Sequence, residues 1–470
     1  MKTNDLHKIG IPVRCMKTAF RCIGKMGRAG LGREDMETLL SSTVKDPEQF
    51  IEHELVSDLA KEITSAEDDP KVWQERETPA RYQAWSEDLE KSCLRQMDNA
   101  CRIPVAVRGA LMPDAHTGYG IPIGGVLATE NSVIPYAVGV DISCSMNFTI
   151  TDITVQSLRG EKDRLAKAIE EETAFGMGST LKAAREHDVM DSEAWNAFPE
   201  VRKLRDKAAN QLGSSGGGNH FVEFGIVEIP EGSQIDLPAG EYVALMSHSG
   251  SRGAGATIAN HYSRLAMQLR SNVPKELHHL AWLDLDSDAG REYWHAMTLM
   301  GEYAEACHRV IHHHVLKAAG GKSLHNVFNR HNFAWKETHD GREVVVHRKG
   351  ATPAFDGQPG IIPGSMADPA FIVTGKGSPD SLCSASHGAG RAMSRRKASE
   401  TVNRAEVRAM LRERGITLLS AGIDESPNAY KNIRDVMALQ TDLVDIQATF
   451  MPAIVKMAPP EKKKDRIFGR

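Results

Sequence analysis

The first hundred residues carry apolar side chains at the three- and four-residue spacing of amphipathic helices. This spacing runs through residues 34–44, 47–69 and 80–100, and polar or charged residues fill the positions between. The pattern predicts a mainly helical segment over residues 1–95. Because no grouping of catalytic residue types occurs in it, we expect a packing or regulatory extension there.

Beyond residue 95 the pattern changes to short β-like runs that glycine and proline interrupt, with helical spacing returning between them. Residues 334–347 indicate a hairpin that turns at Asp340-Gly341, a pair typical of two-residue turns. The alternation predicts an α+β protein. We expect one large catalytic domain over residues 96–458, with stacked β-sheets surrounded by helices, and a charged, solvated tail over residues 459–470.

Composition narrows the class of protein without naming it. The chain has 470 residues, 41% of them hydrophobic and 25% charged, with a net charge of -5. These values are ordinary for a soluble globular protein and argue against coating of nucleic acid by bulk charge, although a local basic groove is compatible with them. Seven cysteines without tight, even spacing do not indicate a disulfide framework. No signal peptide or membrane helix is evident, so a cytoplasmic location is predicted.

The segment from Val133 to Asn147 places Asp141 three residues before Cys144, at the end of a short apolar run. A carboxylate and a thiolate are ligands for a divalent transition metal, and a thiolate can bridge two ions. Taken alone the motif is short, and a buried cysteine is more often a small apolar side chain. Three histidines beside turn-forming residues strengthen the metal hypothesis: His220, His248 and His325. A lone histidine of this kind can instead be a hydrogen-bonded core residue. His308 and His312 to His314, on a predicted helix, are expected to be surface or packing residues.

Phosphate chemistry is the second theme of the same region. Glycines cluster next to histidines there, as expected where backbone approaches a phosphate closely. Four cations lie near the candidate metal ligands and suit phosphate groups: Arg252, Lys349, Arg391 and Arg395. His387 occupies a glycine-rich turn beside basic residues, and a neutral imidazole can attack phosphorus. These residues together predict a metal-dependent phosphoryl- or nucleotidyl-transfer enzyme.

Seven motifs resemble the RtcB family of RNA-splicing ligases. They occur in that family's order between Arg108 and Lys456, and they are MPDAHTGYGIPIGGV, VGVDISCSMN, QLGSSGGGNHFVEF, HSGSRG, HRKGAT, PGSM and SHGAGRAMSR. The resemblance implies an enzyme that joins RNA 3′-phosphate or 2′,3′-cyclic phosphate ends to 5′-hydroxyl ends, with GTP and two Mn²⁺ ions as cofactors. It also implies an archease-type activator as a candidate partner.

The resemblance further implies roles for individual residues. His387 would be the guanylylated nucleophile, and Asp114 would orient its ring. Cys144 would bridge the two Mn²⁺ ions, one of which would also take His248 and His325 and the other Asp141 and His220. The nucleotide would be held by residues that lie in three motifs, in the loop ending at Tyr430 and near the C-terminus: Asn219, Glu223, Ser365, Gly388, Ala389, Gly390, Tyr430 and Lys456. RNA phosphates would meet the four cations, Arg252 and Arg395 foremost.

The chain departs from the family pattern in a few places. Ala367 and Ala370 follow PGSM where a glycine and a serine are usual, and Ser386 precedes His387 where a cysteine is usual. A divergent member is therefore predicted, for RNA repair or for tRNA splicing. Two other functions stay open on the sequence. One is a metal-dependent phosphodiesterase or phosphatase with water as the nucleophile, and the other is a non-catalytic RNA-binding relative.

Overall fold

The structure is a computed structural model, which describes all residues except 2–4, 7–8, 13–14, 65–73, 177, 461–466 and 468–470. Its chain forms two compact units. The smaller unit contains residues 1–74 and 265–274, and the larger contains residues 75–264 and 275–470. None of the helices in the described part of the chain is long and apolar enough to cross a membrane.

The smaller unit is helical, as its apolar spacing predicts. Its helices are α1 (Met16–Arg28), α2 (Arg33–Lys45) and α3 (Ser57–Thr64), with a 3₁₀ turn at Pro47–Phe50. The side chains that recur at helical spacing form its core, which includes Cys22, Met26, Leu40, Leu59 and Ile63. The predicted helical pattern over residues 65–69 falls outside the described residues.

The larger unit begins before the predicted boundary at residue 95. Strand β1 (Arg81–Ala84) lies in the stretch where a helix was expected, and it pairs in parallel with β2 (Ala106–His116). Helix α4 (Lys91–Arg102) confirms the expected helix from residue 91 onward, whereas residues 85–90 are not helical. Helical spacing over residues 80–84 is thus overridden by main-chain pairing with β2, which no local pattern reveals.

A five-stranded sheet has the order β1-β2-β3-β11-β10. Its further strands are β3 (Ile123–Thr129), β10 (Asn332–His339) and β11 (Arg342–Lys349). The predicted hairpin is confirmed, because β10 and β11 are joined by Asp340 and Gly341 alone. Both residues have positive φ, 51° and 74°, as a type I′ turn requires.

An eight-stranded sheet forms the centre of the larger unit, in the order β13-β14-β17-β6-β7-β5-β9, with β16 paired to β17. Its strands are β5 (Ser145–Thr151), β6 (Phe221–Ile229), β7 (Gly240–Ser249), β9 (Ser323–Arg330), β13 (Pro359–Ile362), β14 (Ala370–Gly375), β16 (Thr417–Ser420) and β17 (Val444–Met457). Apolar side chains cover both of its faces and form two separate cores. Burial on both sides explains why these strands appear in the sequence as continuous apolar runs.

Two short strand pairs and ten helices complete the larger unit and its connections. The strands are β4 (Ser132–Val133) with β8 (Leu283–Asp284), and β12 (Ala351–Pro353) with β15 (Ser384–Ser386). The helices are α5 (Pro135–Val138), α6 (Val155–Gly160), α7 (Lys162–Glu172), α8 (Pro199–Arg202), α9 (Arg205–Gln211), α10 (Arg252–Leu269), α11 (Asp288–Ala319), α12 (Arg395–Thr401), α13 (Arg404–Glu413) and α14 (Ile433–Ala438). Sheets and helices are thus mixed along the chain, in agreement with the predicted α+β class.

The C-terminal tail is docked where the structure describes it. Most of residues 459–470, predicted to be solvated, lies outside the described residues. Ile467, however, is fully buried against Val407 and Leu411. Its carbonyl oxygen accepts a hydrogen bond of 2.6 Å from Arg408 Nε. At this residue the expectation of a solvated tail is wrong, because the apolar side chain of Ile467 packs into an apolar cluster.

An ion pair with a fully buried arginine joins β10 to β11. Arg348 donates to both carboxylate oxygens of Glu337, at 2.6 and 3.1 Å, and its guanidinium carbon lies 4.9 Å from the ring centre of Trp335. Removing one partner leaves a buried charge unpaired, which costs about 3–5 kcal/mol. We therefore expect Glu337→Gln to lower the free energy of unfolding by that amount, as measured by urea titration with tryptophan fluorescence.

The matched control for this prediction is Glu400→Gln. Glu400 pairs with Arg396 at 2.8 Å, but both side chains are largely exposed. Exposed pairs contribute less than about 1 kcal/mol. Equal losses in the two variants would contradict the account given for Glu337.

Candidate metal and nucleotidyl-transfer site

The candidate metal ligands meet because four neighbouring strands of the eight-stranded sheet begin or end on the same side of it. The strands lie in the order β6-β7-β5-β9 and are antiparallel, so β6 and β5 start where β7 and β9 finish. Phe221 pairs with His248, and Ser145 pairs with Arg330. The residues next to these pairs, His220, Cys144 and His331, are thereby brought together from distant parts of the chain.

Side-chain distances in this cluster are short. Cys144 Sγ lies 3.0 Å from His248 Nε2 and 3.4 Å from His220 Nε2. His220 Nε2 lies 3.0 Å from Asp141 Oδ2, and His248 Nε2 lies 3.1 Å from His331 Nε2. The ligand atoms of Cys144, His220 and His248 all fall within 4.8 Å of one another. A thiol, imidazoles and a carboxylate at this spacing form a candidate site for a divalent transition metal.

Neighbouring backbone fixes the orientation of two of these rings. His248 Nδ1 donates to the carbonyl oxygen of Asn219 at 3.1 Å, which leaves the Nε2 lone pair directed to the cluster. Gly216 packs on the ring of His220, where an added Cβ would collide with Nδ1. The glycine-rich run before His220 is therefore needed for close approach to an imidazole, in addition to any role in binding phosphate.

Burial shapes the charge of the cluster. It raises the pKa of the Cys144 thiol well above its ordinary value, and it lowers the pKa of His248 and His331 well below theirs. For Asp141, burial would raise the pKa, but the hydrogen bond and charge of His220, together with Cys144 and His248, outweigh burial and the pKa is lowered. Without a cation, the neutral forms of Cys144, His248 and His331 are therefore favoured beside an ionised Asp141, and a bound dication would favour the thiolate.

His325, the third histidine predicted as a metal ligand, is not in the cluster. It pairs with Ile150 near the far end of β5, whereas Cys144 precedes the near end of that strand. Six residues of extended chain separate His325 from His331, about 20 Å at 3.3 Å per residue. The backbone N–H of His331 donates to the carbonyl oxygen of Cys144 at 3.0 Å. The structure therefore brings His331, and not His325, to the cluster.

His387, which is not part of the cluster, lies beside it and is held by a buried carboxylate. Its Nδ1 lies 2.7 Å from Oδ2 of Asp114, a fully buried residue of β2. With Nδ1–H donating to Asp114, the lone pair of Nε2 is free to act as a nucleophile. The His387 and His331 ring centres are 5.1 Å apart. Lys431, which no sequence motif indicated, donates to the carbonyl oxygens of Pro113 and Ala115 on either side of Asp114.

His387 and the metal cluster face a shared cavity of about 330 Å³. Most residues predicted to hold a nucleotide or RNA line this cavity, and they are Asn219, Glu223, Ser365, Gly388, Ala389, Gly390, Tyr430, Lys349, Arg391 and Arg395. Burial raises the pKa of Glu223 well above its ordinary value and lowers that of Lys349 to about 7. Neither Arg252 nor Lys456 is among the described residues that line the cavity.

Lys456 lies on the opposite face of β17 from its predicted position. Strand alternation directs Val455 and Met457 to the cavity and Lys456 away from it. Its Nζ donates to the carbonyl oxygens of Glu170 and Thr173, at 3.1 and 3.2 Å, just beyond the end of α7. In this arrangement Lys456 faces away from the cavity, so its position does not support the predicted contact with guanine.

Arg252 is occupied by contacts within the protein. Its Nε donates to Ser214 Oγ at 3.1 Å and its Nη2 to the carbonyl oxygen of Gly176 at 3.0 Å. It is 7% exposed, and it is one of the non-glycine residues with positive φ, 59°. A guanidinium held this way braces the glycine-rich segment before His220, and the predicted grip on RNA phosphate does not follow from its position.

Glu425 organises the cationic wall of the cavity and was not predicted from sequence. This buried carboxylate accepts hydrogen bonds from Tyr430 Oη and from Arg395, and Arg391 Nη1 approaches it at 3.4 Å. The Arg391 guanidinium carbon also lies 5.2 Å from the Tyr430 ring centre. One carboxylate thus holds two candidate phosphate-binding arginines and one candidate base-binding tyrosine in position.

Asp368 occupies the part of the wall where the sequence departs from the family pattern. It lies between Ala367 and Ala370, lines the cavity and accepts a hydrogen bond from Ser365 Oγ. Arg414 Nη1 donates to its other oxygen at 2.9 Å. The two alanines therefore flank a carboxylate at the cavity wall.

Two further histidines, on α11, form a buried layer behind β7. His312 lies 2.7 Å from Thr149 Oγ1 and 2.8 Å from Ser247 Oγ, and Ser247 Oγ lies 2.6 Å from His308. His308 Nε2 completes the chain with the carbonyl oxygen of Ser249. Burial lowers the pKa of both rings, that of His308 to about 4. Packing was one of the two roles expected for them, and the surface alternative is wrong for this pair.

The similarity to known proteins lies mainly within the larger unit. A family model described as tRNA-splicing ligase RtcB matches residues 96–457. RNA-splicing ligase RtcB of Escherichia coli strain K12 is 33% identical over 401 residues, which cover 78% of this chain and 94% of that protein. The tRNA-splicing ligase RtcB of Thermococcus kodakarensis is 31% identical over 447 residues, covering 78% and 92%. These matches define the class of protein as an RNA ligase. The chain belongs to the tRNA-splicing ligase RtcB family.

Proposed function

We propose that this protein joins RNA 3′-phosphate or 2′,3′-cyclic phosphate ends to 5′-hydroxyl ends, with GTP and Mn²⁺ as cofactors. The observation that carries the proposal is the pairing of His387 with Asp114 in the same cavity as the Cys144 cluster. A nucleophile with a free Nε2 lone pair, a candidate metal site and a cationic wall are the parts that nucleotidyl transfer needs.

The residues of the cluster fit two Mn²⁺ ions by donor type and number. Asp141, Cys144, His220, His248 and His331 would hold them, with Cys144 shared, and the bound ions would stabilise negative charge on the phosphoryl oxygens. Nδ1 of His331 is buried and has no hydrogen-bond partner among the described residues, and Nε2 of the same ring faces His248. Hydrogen bonding therefore does not explain the position of this ring. Metal ligation accounts for that arrangement.

The proposed reaction proceeds in three transfers. His387 Nε2 attacks the α-phosphorus of GTP, pyrophosphate leaves, and a P–N bond joins GMP to the ring. An oxygen of the RNA 3′-phosphate then attacks the same phosphorus, which breaks the P–N bond and activates the RNA end. Finally the 5′-hydroxyl attacks the activated 3′-phosphate and GMP leaves. A 2′,3′-cyclic phosphate end enters this sequence only after water attacks its phosphorus and breaks the bond to the 2′-oxygen, which leaves a 3′-phosphate and a free 2′-hydroxyl. Asp114 accepts from Nδ1–H throughout and stabilises the positive charge that develops on the ring.

Recognition of the guanine base is proposed for Glu223 and Tyr430. A buried carboxylate suits the adjacent N1–H and N2–H donors of guanine, and adenine lacks that edge. Asp368 and Ser365 offer a second polar position on the wall. Arg391, Arg395 and Lys349 are proposed to hold phosphates. RNA repair or tRNA splicing in the cytoplasm, and an archease-type activator, stay predictions.

The test uses GTP labelled at its α-phosphate. Incubation with Mn²⁺ is expected to give protein that carries label after denaturation and loses it in acid, as a phosphoramidate does. The same preparation should join a 3′-phosphate RNA to a 5′-hydroxyl RNA and release labelled GMP. Hydrolysis of phosphate esters with neither labelled protein nor joined RNA would make water the nucleophile and would overturn the proposal.

A further inference from the structure

The loop between β2 and β3 holds an exposed aromatic ring on firmly anchored backbone. Tyr119 is 70% exposed. On the residue before it, the Gly118 carbonyl oxygen accepts from Gln96 at 2.6 Å, and the Gly118 N–H donates to Gln96 at 2.9 Å. On the residue after it, Gly120 has φ 75° and packs so closely on the backbone of His279 that a Cβ would clash. A ring presented to solvent by such a loop has little packing role of its own.

Tyr119 is one end of a row of three aromatic rings, here named the aromatic row: Tyr119, His279 and Tyr136. The ring centres of Tyr119 and His279 are 5.9 Å apart at 83°, and those of His279 and Tyr136 are 4.5 Å apart at 44°. Burial, with a contribution from the charge of Lys349, lowers the pKa of His279. The middle ring is therefore neutral at neutral pH, and the row is an aromatic surface.

The aromatic row starts at the rim of the catalytic cavity. Lys349 lines the cavity, and its Nζ donates a hydrogen bond to the carbonyl oxygen of Tyr119. His116 lines the cavity three residues before Tyr119. At the other end of the row, Val140 is 43% exposed, lines the cavity and follows α5, the helix that carries Tyr136. The aromatic row therefore lies next to residues that line the cavity.

Aromatic rings beside a cationic rim suit a nucleobase with its phosphate. Stacking of a base on an aromatic side chain contributes about 1–3 kcal/mol and tolerates any base. The base of GTP has its own candidate partners in the cavity, so a base on the aromatic row would belong to the RNA. We propose that the aromatic row, with Tyr119 as its exposed end, stacks an unpaired RNA base next to the end being joined. This inference rests on the proposed RNA substrate.

The test measures coupling between Tyr119 and a single base. Binding of a fluorescein-labelled, single-stranded 3′-phosphate RNA is followed by polarisation with Mn²⁺ and without GTP. Each RNA of a series lacks the base at one position, and a second series carries a 5′-hydroxyl end. We expect one or two abasic positions near one end to weaken binding to the wild-type protein by fivefold or more, the equivalent of about 1 kcal/mol.

We expect Tyr119→Ala to bind intact RNA more weakly than wild type by the same factor. RNA that is abasic at those positions should bind this variant no more weakly than intact RNA does. Tyr119→Phe keeps the ring and should bind within twofold of wild type. Leu324→Ala is the matched control, because Leu324 is 47% exposed and belongs to the end of β9 remote from the cluster. It should behave as wild type with every RNA.

Three results would overturn the inference. Tyr119→Ala could bind every RNA as tightly as wild type, or it could lose the same factor again with each abasic RNA, which would indicate a structural role. It could also abolish a concentration-dependent self-association of the protein, which would make the aromatic row a contact between copies. Labelling by GTP without RNA, measured on the same preparations, should be unchanged in Tyr119→Ala. Failure of labelling in the wild-type protein would refute the ligase proposal separately from the aromatic row.

Discussion

His387→Ala is expected to abolish both covalent labelling by GTP and RNA joining, with a loss of at least about 10⁴-fold in rate. The reason is that no other described imidazole at the cavity has its Nδ1 held by a carboxylate side chain, as His387 Nδ1 is by Asp114 at 2.7 Å. The measurement is single-turnover transfer of α-labelled GMP to the protein, followed by denaturing gels and mass spectrometry of the labelled peptide.

Asp114→Asn tests the same pair from the other side. The amide keeps the shape of the side chain but removes the charge that stabilises the imidazolium and can present N–H to Nδ1, which selects the wrong tautomer. A loss of about 10²–10⁴-fold in labelling is expected, with unchanged binding of GTP. The control is His339→Ala, since His339 pairs with Glu337 at 2.8 Å in the five-stranded sheet and does not line the cavity. Full labelling of His387→Ala would refute the assignment.

His331→Ala is expected to remove at least one tightly bound Mn²⁺, whereas His325→Ala should keep the full metal content. Loss of an orienting partner already costs 10–100-fold in metal affinity, and loss of a ligand should exceed about 100-fold. The reason is positional, because His331 Nε2 lies 3.1 Å from His248 Nε2 and His325 belongs to the opposite end of β9. Titration calorimetry and metal analysis after gel filtration measure the difference.

The pair of variants is its own control, since both delete an imidazole from the same segment of the chain. Circular dichroism of the metal-free proteins should be the same for both, which separates a lost ligand from a lost fold. Retention of both ions by His331→Ala with a loss in His325→Ala would restore the family-based assignment and contradict the present one.

Sequence reasoning found the cluster where a motif lies at the end of a strand. Cys144 and His220 were found as ligand-type residues beside turn-forming residues, and the structure places each directly before a strand, β5 and β6. His325 failed this test, because the dipeptide His-Asn occurs at residues 325 and 331 and the first copy lies inside β9. Only the second copy follows the strand, and strand ends are hard to fix from local patterns.

The other corrections share a physical cause, which is dependence on contacts distant in sequence. The side of β17 that faces the cavity decides the place of Lys456, and one residue of register would reverse it. Pairing with β2 turns Arg81–Ala84 into a strand. Glu425 and Lys431 act on residues that other segments supply, so their own neighbours in the sequence carry no signal of that role.

The order of strands in the central sheet constrains how the chain can be completed during synthesis. Strand β17 is the last in the chain, yet it lies between β14 and β6. Until it is available, the sheet consists of two separate pieces, β13-β14 and β6-β7-β5-β9. The metal ligands belong to the second piece and the wall around Ser365 adjoins the first. A ribosome must therefore deliver almost the entire polypeptide before the hydrogen-bonded sheet that links the two sides of the cavity is complete.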